Sequence, residues 1–268
     1  MLKGFSTPLS PRGVSSTAPS PPWHYVADYL AVEFWADPDA VRAVLPQELE
    51  PGPDPGRCAI FFSDCQYATD GRELVEPAIS QYRECMVVIT ALVEGKPGSF
   101  IPYIFVDNDN SMVRGHIQGM PKQLGVVRLT RSFDVASLAS AVVGPGGAFG
   151  ATASYRDRLV AQAAVTLRET TDQAPNRIMA RLVNRRHFPD LREGRHDSPL
   201  VSELVRQKTR DVTMSTIWTG DASLSLPASS VHELGDLSPV RVGPGYRYTM
   251  AMTIDDLAVL GSAVPPIR

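Results

Sequence analysis

The chain has 268 residues, 43% of them hydrophobic and 21% charged, with a formal net charge of -3. That length can bury a sizeable core. The near-balanced charge excludes the basic surface that a nucleic-acid backbone demands, and no apolar run is long enough to span a bilayer. Cys58, Cys65 and Cys85 are odd in number and fit no disulfide scaffold, and the five histidines offer no pair at zinc spacing. The opening "MLKGFSTPLSPRG" holds no secretory apolar stretch, so a cytoplasmic location is expected.

Residues 7–22, "TPLSPRGVSSTAPSPP", are too rich in Pro and Ser for regular structure and read as an extended arm lying on a neighbouring surface. "HYVADYLAVEFWA" alternates as a strand. "DPDAVRAVLP" reads as a short helix: Asp37 suits the N-cap, Pro38 the first helical position, and Pro46 stops it. Val41, Val44 and Leu45 would share its buried face. After the turn cluster "EPGPDPG", the segments "RCAIFFSDCQYA", "ECMVVITALVE" and "SFIPYIFVD" are β-branched or aromatic and read as strands. "GAFGATASYRDRLVAQAAVTLRET" reads as two or three antiparallel segments. The preceding "GPGGAFG" has the look of a nucleotide loop, but no helix follows it, so a hairpin turn is expected. "SPLVSELVRQKT" is expected to form another short helix. "DVTMSTIWTG", "ASLSLP" and "GYRYTMAMTID" read as strands, and "DLAVLG" as a last turn of helix. Few short helices among sequential strands predict a largely antiparallel α+β fold, a curved sheet or barrel with edge helices, spanning residues 1–268 as a single domain. A barrel interior is a natural place for a small pocket.

One stretch stands apart. "GMPKQLG", residues 119–125, sets Lys122 between a rigid proline and a glutamine among apolar and glycine residues. With its upstream neighbours it reads "RGHIQGMPKQLG", which resembles the lysine segment of the acetoacetate decarboxylase-like superfamily, roughly Gly-Arg-Glu-x-x-x-x-Pro-Lys-Lys-Leu-Gly. The segments "STPLS", "ADPDAVRAVLP", "QYRE", "IFVDND", "DVTMSTIWTG", "DLSPV" and "GYRYTMAMTID" fall in that family's order, so the resemblance covers nearly the whole chain. It implies a barrel-centred fold that forms homo-oligomers, and Schiff-base chemistry at Lys122.

That chemistry needs a neutral amine. A free lysine titrates at about 10.4, and bringing it near 7 requires roughly 4 kcal/mol against the charged form. Desolvation or a neighbouring cation can supply this, and the lysine of acetoacetate decarboxylase is itself an established example of such activation. Here Gln123 stands where the family has a second lysine, so desolvation by Met120, Leu124 and barrel side chains is expected to do most of the work. Taken alone, the heptapeptide reads as a solvated turn lysine, and it is the resemblance that reverses this. Glu84 matches the family's catalytic glutamate in "QYRE", and Tyr82 shares its strand face. A carboxylate there could shuttle protons during imine formation, although read alone it is an exposed glutamate paired with Arg83 or Arg114. Gln118 is either a pocket amide or a surface turn residue. Tyr246, Tyr248, Met250 and Met252 share one face of the last strand, with Tyr248 and Met252 the candidates to line a pocket.

The departures from the family pattern also point somewhere. An arginine on the early strand and a second glutamate help shape the decarboxylase site, and the resemblance sets Ala27 and Ala59 at those places. The favoured expectation is therefore a Schiff-base lyase, an aldolase-dehydratase that condenses a 2-oxo acid such as pyruvate with an aldehyde. Lys122 would be the nucleophile, Glu84 the proton shuttle, and Tyr82, Gln118, Met120, Tyr248 and Met252 the substrate contacts. This chemistry calls for no metal and no cofactor. The alternatives are a β-keto acid decarboxylase and a non-catalytic barrel that binds an apolar small molecule.

Overall fold

The structure is a computed structural model that describes all residues except 174, 176–178, 180 and 263–268. Period-two alternation in β1 (Trp23–Trp35) sends Ala27, Tyr29 and Ala31 to one face and Leu30, Val32 and Phe34 to the other, and both sets are buried. Helix α1 (Pro38–Val44) starts where the Asp37 carboxylate accepts from the Asp39 and Ala40 amides, and it ends as Leu45 turns extended before Pro46. There follow β2 (Glu50–Pro51), β3 (Arg57–Ala68), α2 (Pro77–Ser80), β4 (Gln81–Val93) and β5 (Lys96–Val106). Next come α3 (Asp109–Ile117), β6 (Lys122–Leu124), β7 (Val126–Leu129), β8 (Ala148–Tyr155) and β9 (Arg158–Thr171). The last strands are β10 (Leu182–Phe188), β11 (Val201–Met214), β12 (Ile217–Ser225) and β13 (Arg241–Ser262).

The strand order β1-β3-β4-β5-β10-β11-β13 closes into a ring because β13 pairs back onto β1. Every neighbouring pair in the ring is antiparallel except β5 and β10. β13 also pairs with β12, which begins a second layer ordered β12-β9-β8-β7. Two cores result. Phe61, Val88, Ile101, Ile104 and Tyr246 fill the ring. Phe34, Ile60, Phe62 and Val87 face the other way, onto Phe149, Val165 and Leu167 of the second layer. The expected antiparallel barrel is what forms.

Two expected helices are strands instead. "SPLVSELVRQKT" belongs to β11, paired with β10 and β13. Its apolar pairs Leu200-Val201 and Leu204-Val205 sit at helical spacing, but Leu200 is exposed and the second pair is buried on the two opposite faces of a strand. Leu204 joins the core outside the ring, while Gln207 and Thr209, in step with Val205, line its interior. A strand covered on both sides loses its alternation and mimics a helix. "DLAVLG" likewise continues β13, with Asp256 opposite Lys208 and Gly261 opposite Leu204, so ladder pairing overrides local propensity.

The reverse error is α3, a helix within a stretch that the sequence reading left unassigned. Asn108 caps it by accepting from the Ser111 amide at 3.0 Å. The Pro/Ser-rich arm folds back on itself through Ser6 and Ser16 and docks on α3 of its own chain, where Asn110 Nδ2 donates to the Thr17 carbonyl at 2.6 Å. "GPGGAFG" is a turn leading into β8, as expected of a segment with no following helix, but residues 130–147 make a long excursion between β7 and β8 rather than a tight hairpin.

Candidate active site

The strands of the ring and the end of α3 enclose a cavity of about 250 Å³. Lys122 enters it from β6, which lies parallel to β5 with Ile104 opposite Lys122. The lysine stem runs along α3 at Gly115, where a β-carbon would stand 2.3 Å from Lys122 Cδ; only a glycine leaves room for the stem. Two backbone contacts hold the segment: the Lys122 amide donates to the Met120 carbonyl at 2.8 Å, and His116 Nε2 lies 2.8 Å from the Lys122 carbonyl.

Lys122 and Glu84 are only 7% and 8% exposed, and Nζ lies 2.6 Å from Glu84 Oε2. The contact is ionic and lies off the hydrogen-bond direction. Nζ donates instead to Ser111 Oγ at 2.9 Å, and it sits 5.3 Å from the centre of the Tyr82 ring. Among the described residues Glu84 is ion-paired with Lys122, while Arg83 pairs with Asp64 and Asp107, so the surface pairing with Arg83 or Arg114 does not form. Burial pushes the Tyr82 phenol well above its ordinary value, and the nearby Cys65 and Glu84 add to the effect. Burial likewise lifts the Cys65 thiol to about 12, reinforced by the Glu84 charge. Both groups therefore remain protonated and neutral near pH 7, beside a pair that can exchange one proton.

Gln118 is buried in the cavity wall rather than on a surface turn. Its Nε2 donates to the Arg114 carbonyl at 3.0 Å, and its Oε1 accepts from Gln207 Nε2 at 2.8 Å. Met120 and Met252 also line the cavity, together with Met86, Met179 and Met250, so five of the chain's eight methionines face it. Three expectations need correction. Tyr248 stands behind the wall, stacked on Tyr29 with ring centres 5.2 Å apart. Leu124 is 51% exposed and does nothing to desolvate the lysine, because strand alternation turns it away. Ala59 is buried within the ring but lies off the cavity; on β3 it is Cys65 that reaches it. Ala27 does line the cavity.

Sequence reasoning missed several neighbours. Ser111 carries no linear signal, because α3 itself was not foreseen. Arg114 is 1% exposed, with its guanidinium 3.3 Å from the centre of the Tyr67 ring and within 5.7 Å of those of Tyr25 and Tyr82. It contacts Asn110 but has no ion pair among the described residues, and its Nε and Nη2 make no well-aligned hydrogen bond. A buried cation without a carboxylate stands close behind the cavity wall.

The acetoacetate decarboxylase family model matches residues 6–263. Among curated proteins, the acetoacetate decarboxylase of Ralstonia nicotianae is 26% identical over 240 residues, covering 89% of this chain and 86% of its own. Among solved structures, the enduracididine biosynthesis enzyme MppR complexed with pyruvate superposes with a TM-score of 0.91 at 35% identity, covering 98% of this chain and 100% of that one. MppR has also been solved with the condensation product of pyruvate and imidazole 4-carboxaldehyde, matching with a TM-score of 0.90 over 97% of both chains. An acetoacetate decarboxylase-like enzyme from Sphingomonas wittichii RW1 shares the fold, with a TM-score of 0.88 at 24% identity over 97% of this chain and all of its own.

Proposed function

This chain belongs to the acetoacetate decarboxylase family, and from that membership we propose that it is a lysine-dependent aldolase-dehydratase joining pyruvate, or a similar 2-oxo acid, to an aldehyde. The observation that carries the reading is the buried contact of Lys122 Nζ and Glu84 Oε2 at 2.6 Å, at the wall of a cavity otherwise mostly apolar. The 35% identity to a protein solved with pyruvate and with a pyruvate–aldehyde condensation product supports the same choice of substrates.

In this reading Glu84 takes a proton from Nζ, and the neutral amine attacks the ketone carbon of the 2-oxo acid. Glu84 returns that proton to the carbinolamine hydroxyl, which leaves as water to give an iminium ion and a free Glu84 carboxylate. The carboxylate then removes a proton from the adjacent methyl, and the C–H electron pair moves to form an enamine. The enamine carbon attacks the aldehyde carbonyl, and the resulting alkoxide is protonated. Loss of the second proton from that carbon, with departure of the hydroxyl as water, leaves a conjugated imine. Hydrolysis releases a 2-oxo-3-enoic acid and returns Lys122. The sum is one oxo acid plus one aldehyde giving one enone acid plus one water.

Charge favours an anionic substrate. Lys122 and Glu84 balance each other, whereas Arg114 is unbalanced and sits behind Tyr25, Tyr82 and Gln118. A carboxylate held by Gln118 and Tyr25 would complete that balance in a low-dielectric site. The second carbonyl compound occupies the methionine side. Thioethers adapt to varied shapes and pack well on aromatic rings, so flat, apolar aldehydes are the expected class. Ala27 leaves that space open.

A second reading, decarboxylation of a 3-oxo acid, has its own support in the name shared by the curated relatives. It passes through the same enamine, so carbon dioxide distinguishes the two. Pyruvate with an aromatic aldehyde should yield a conjugated chromophore, and acetoacetate alone should yield little carbon dioxide. Rapid carbon dioxide release without condensation would replace the first reading by the second.

A further inference from the structure

We propose that His232 is a positioning residue for Lys122, acting through the side-chain amide of Gln123; this rests on the imine reading of Lys122. Strand alternation sends the Lys122 side chain into the ring and that of Gln123 out of the opposite side of β6, toward the second layer. Gln123 therefore cannot serve as an electrostatic neighbour of Nζ. Instead its Oε1 lies 2.9 Å from His232 Nε2, and its Nε2 donates to Tyr155 Oη at 3.3 Å.

The tautomer follows from the other ring nitrogen. His232 Nδ1 accepts from the Leu234 amide at 3.0 Å, where the imidazole caps the 3-10 turn Glu233–Leu237. The ring proton is therefore on Nε2, which donates to Gln123 Oε1. The imidazole is fixed edge-on by Tyr103 and Phe105, each with its ring centre 4.8 Å away, and by Tyr155 at 5.5 Å. The aromatic walls and the turn cap leave the imidazole few alternative orientations, and both hydrogen-bonding groups of the Gln123 amide have a partner.

This matters because β6 has only three residues and pairs with β5 through Lys122, Gln123 and Leu124 alone. His116 holds one side of that short strand at the Lys122 carbonyl, and His232 holds the other through residue 123. Rotation of β6 by even a fraction of its pleat would draw Nζ away from Glu84 and Ser111. Misplacement of a reacting group by about 1 Å can cost roughly a hundredfold in rate.

The test uses the full-length chain with Gln123→Met, which keeps the side chain's length but removes the amide; His232→Phe, which keeps the aromatic packing; the double variant; and Gln123→Glu, which retains an acceptor for Nε2. The rate of borohydride trapping of pyruvate on the Lys122 peptide is measured per folded molecule, with thermal melts alongside. We expect Gln123→Met and His232→Phe each to trap roughly tenfold more slowly, the half-saturating pyruvate concentration to move less than about twofold, the double to be no slower than the worse of the two, and Gln123→Glu to retain most of the wild-type rate. Should His232→Phe fail to fold, Gln123→Met carries the test from the other end. A wild-type trapping rate in folded Gln123→Met, or losses that multiply in the double variant, would overturn the inference. Absence of any adduct in the wild-type protein would be a different result, one that removes the imine reading and this inference with it.

Discussion

Lys122 Nζ and Glu84 Oε2 lie 2.6 Å apart, one carried by a three-residue strand at the end of an α3 turn and the other by a long strand of the barrel wall. Neither residue is more than 8% exposed. Two opposite charges buried this deeply are costly to separate from water, and removing one partner typically costs about 3–5 kcal/mol. A buried pair of this kind is weak evidence for a stabilising role, which agrees with the proton exchange proposed for it.

Glu84→Gln keeps the shape and removes the base. The expected loss of condensation turnover is about a hundredfold or more, with pyruvate binding largely retained. Single-turnover kinetics and a binding isotherm check this. Full turnover in the variant would mean that another group moves the proton.

Gly115→Ala tests the packing of the lysine stem without touching a reacting group. The new methyl would stand 2.3 Å from Cδ, 2.6 Å from Cγ and 2.8 Å from Cε of Lys122, so the flexible stem must move. Alanine favours helix by roughly 1 kcal/mol over glycine, which offsets part of any strain in α3. Activity should fall roughly tenfold or more while the melting temperature changes little. An unchanged rate would show that Nζ reaches its place by another path.

Ala27→Arg places a long cation into the cavity from β1. It should lower condensation with an aromatic aldehyde more than it lowers imine trapping with pyruvate alone, because it fills the space assigned to the second substrate. Comparing the two rates in one preparation checks this. Equal losses would place the aldehyde elsewhere.

Stability should depend on pH through His232. Burial holds its pKa below the ordinary 6.5, while Glu233 opposes the shift; burial lifts the Tyr103 phenol packed on the ring to about 12, so it stays neutral across this range. With the folded value depressed, the neutral imidazole's contribution is complete above the unfolded value and is lost as pH falls through the folded one. Between pH 7 and 5 the melting temperature of wild type should drop more than that of His232→Phe. Parallel curves would assign the acid loss to other groups.

Much of this architecture could be read from the residues. Asp37, Pro38 and Pro46 mark α1 because a cap, a fixed φ and a helix stop are local matters. Tyr82 and Glu84 share a face because alternation on a strand is local too, and Lys122 stood out only once the segment's family resemblance was added, since its glycine and proline surroundings alone read as a surface turn. What escaped was set at long range. Leu204 and Val205 look helical because both faces of β11 are buried there, Leu204 in the core outside the ring and Val205 on the opposite face. Ser111 and Arg114 meet the site only because α3 folds against β6, and Leu124 turns out to solvent because β6 is a strand at all. Tyr248 was assigned to the right face of β13, but depth along the barrel decides whether a residue on that face reaches the cavity or packs behind it on Tyr29.

The most direct measurement is mass spectrometry after borohydride treatment of the protein with pyruvate. The account predicts a single adduct of reduced pyruvate on the peptide containing Lys122, its absence in Lys122→Ala, and its conversion to a larger adduct when an aromatic aldehyde is present. No adduct with any 2-oxo or 3-oxo acid, or one that persists in Lys122→Ala, would contradict it.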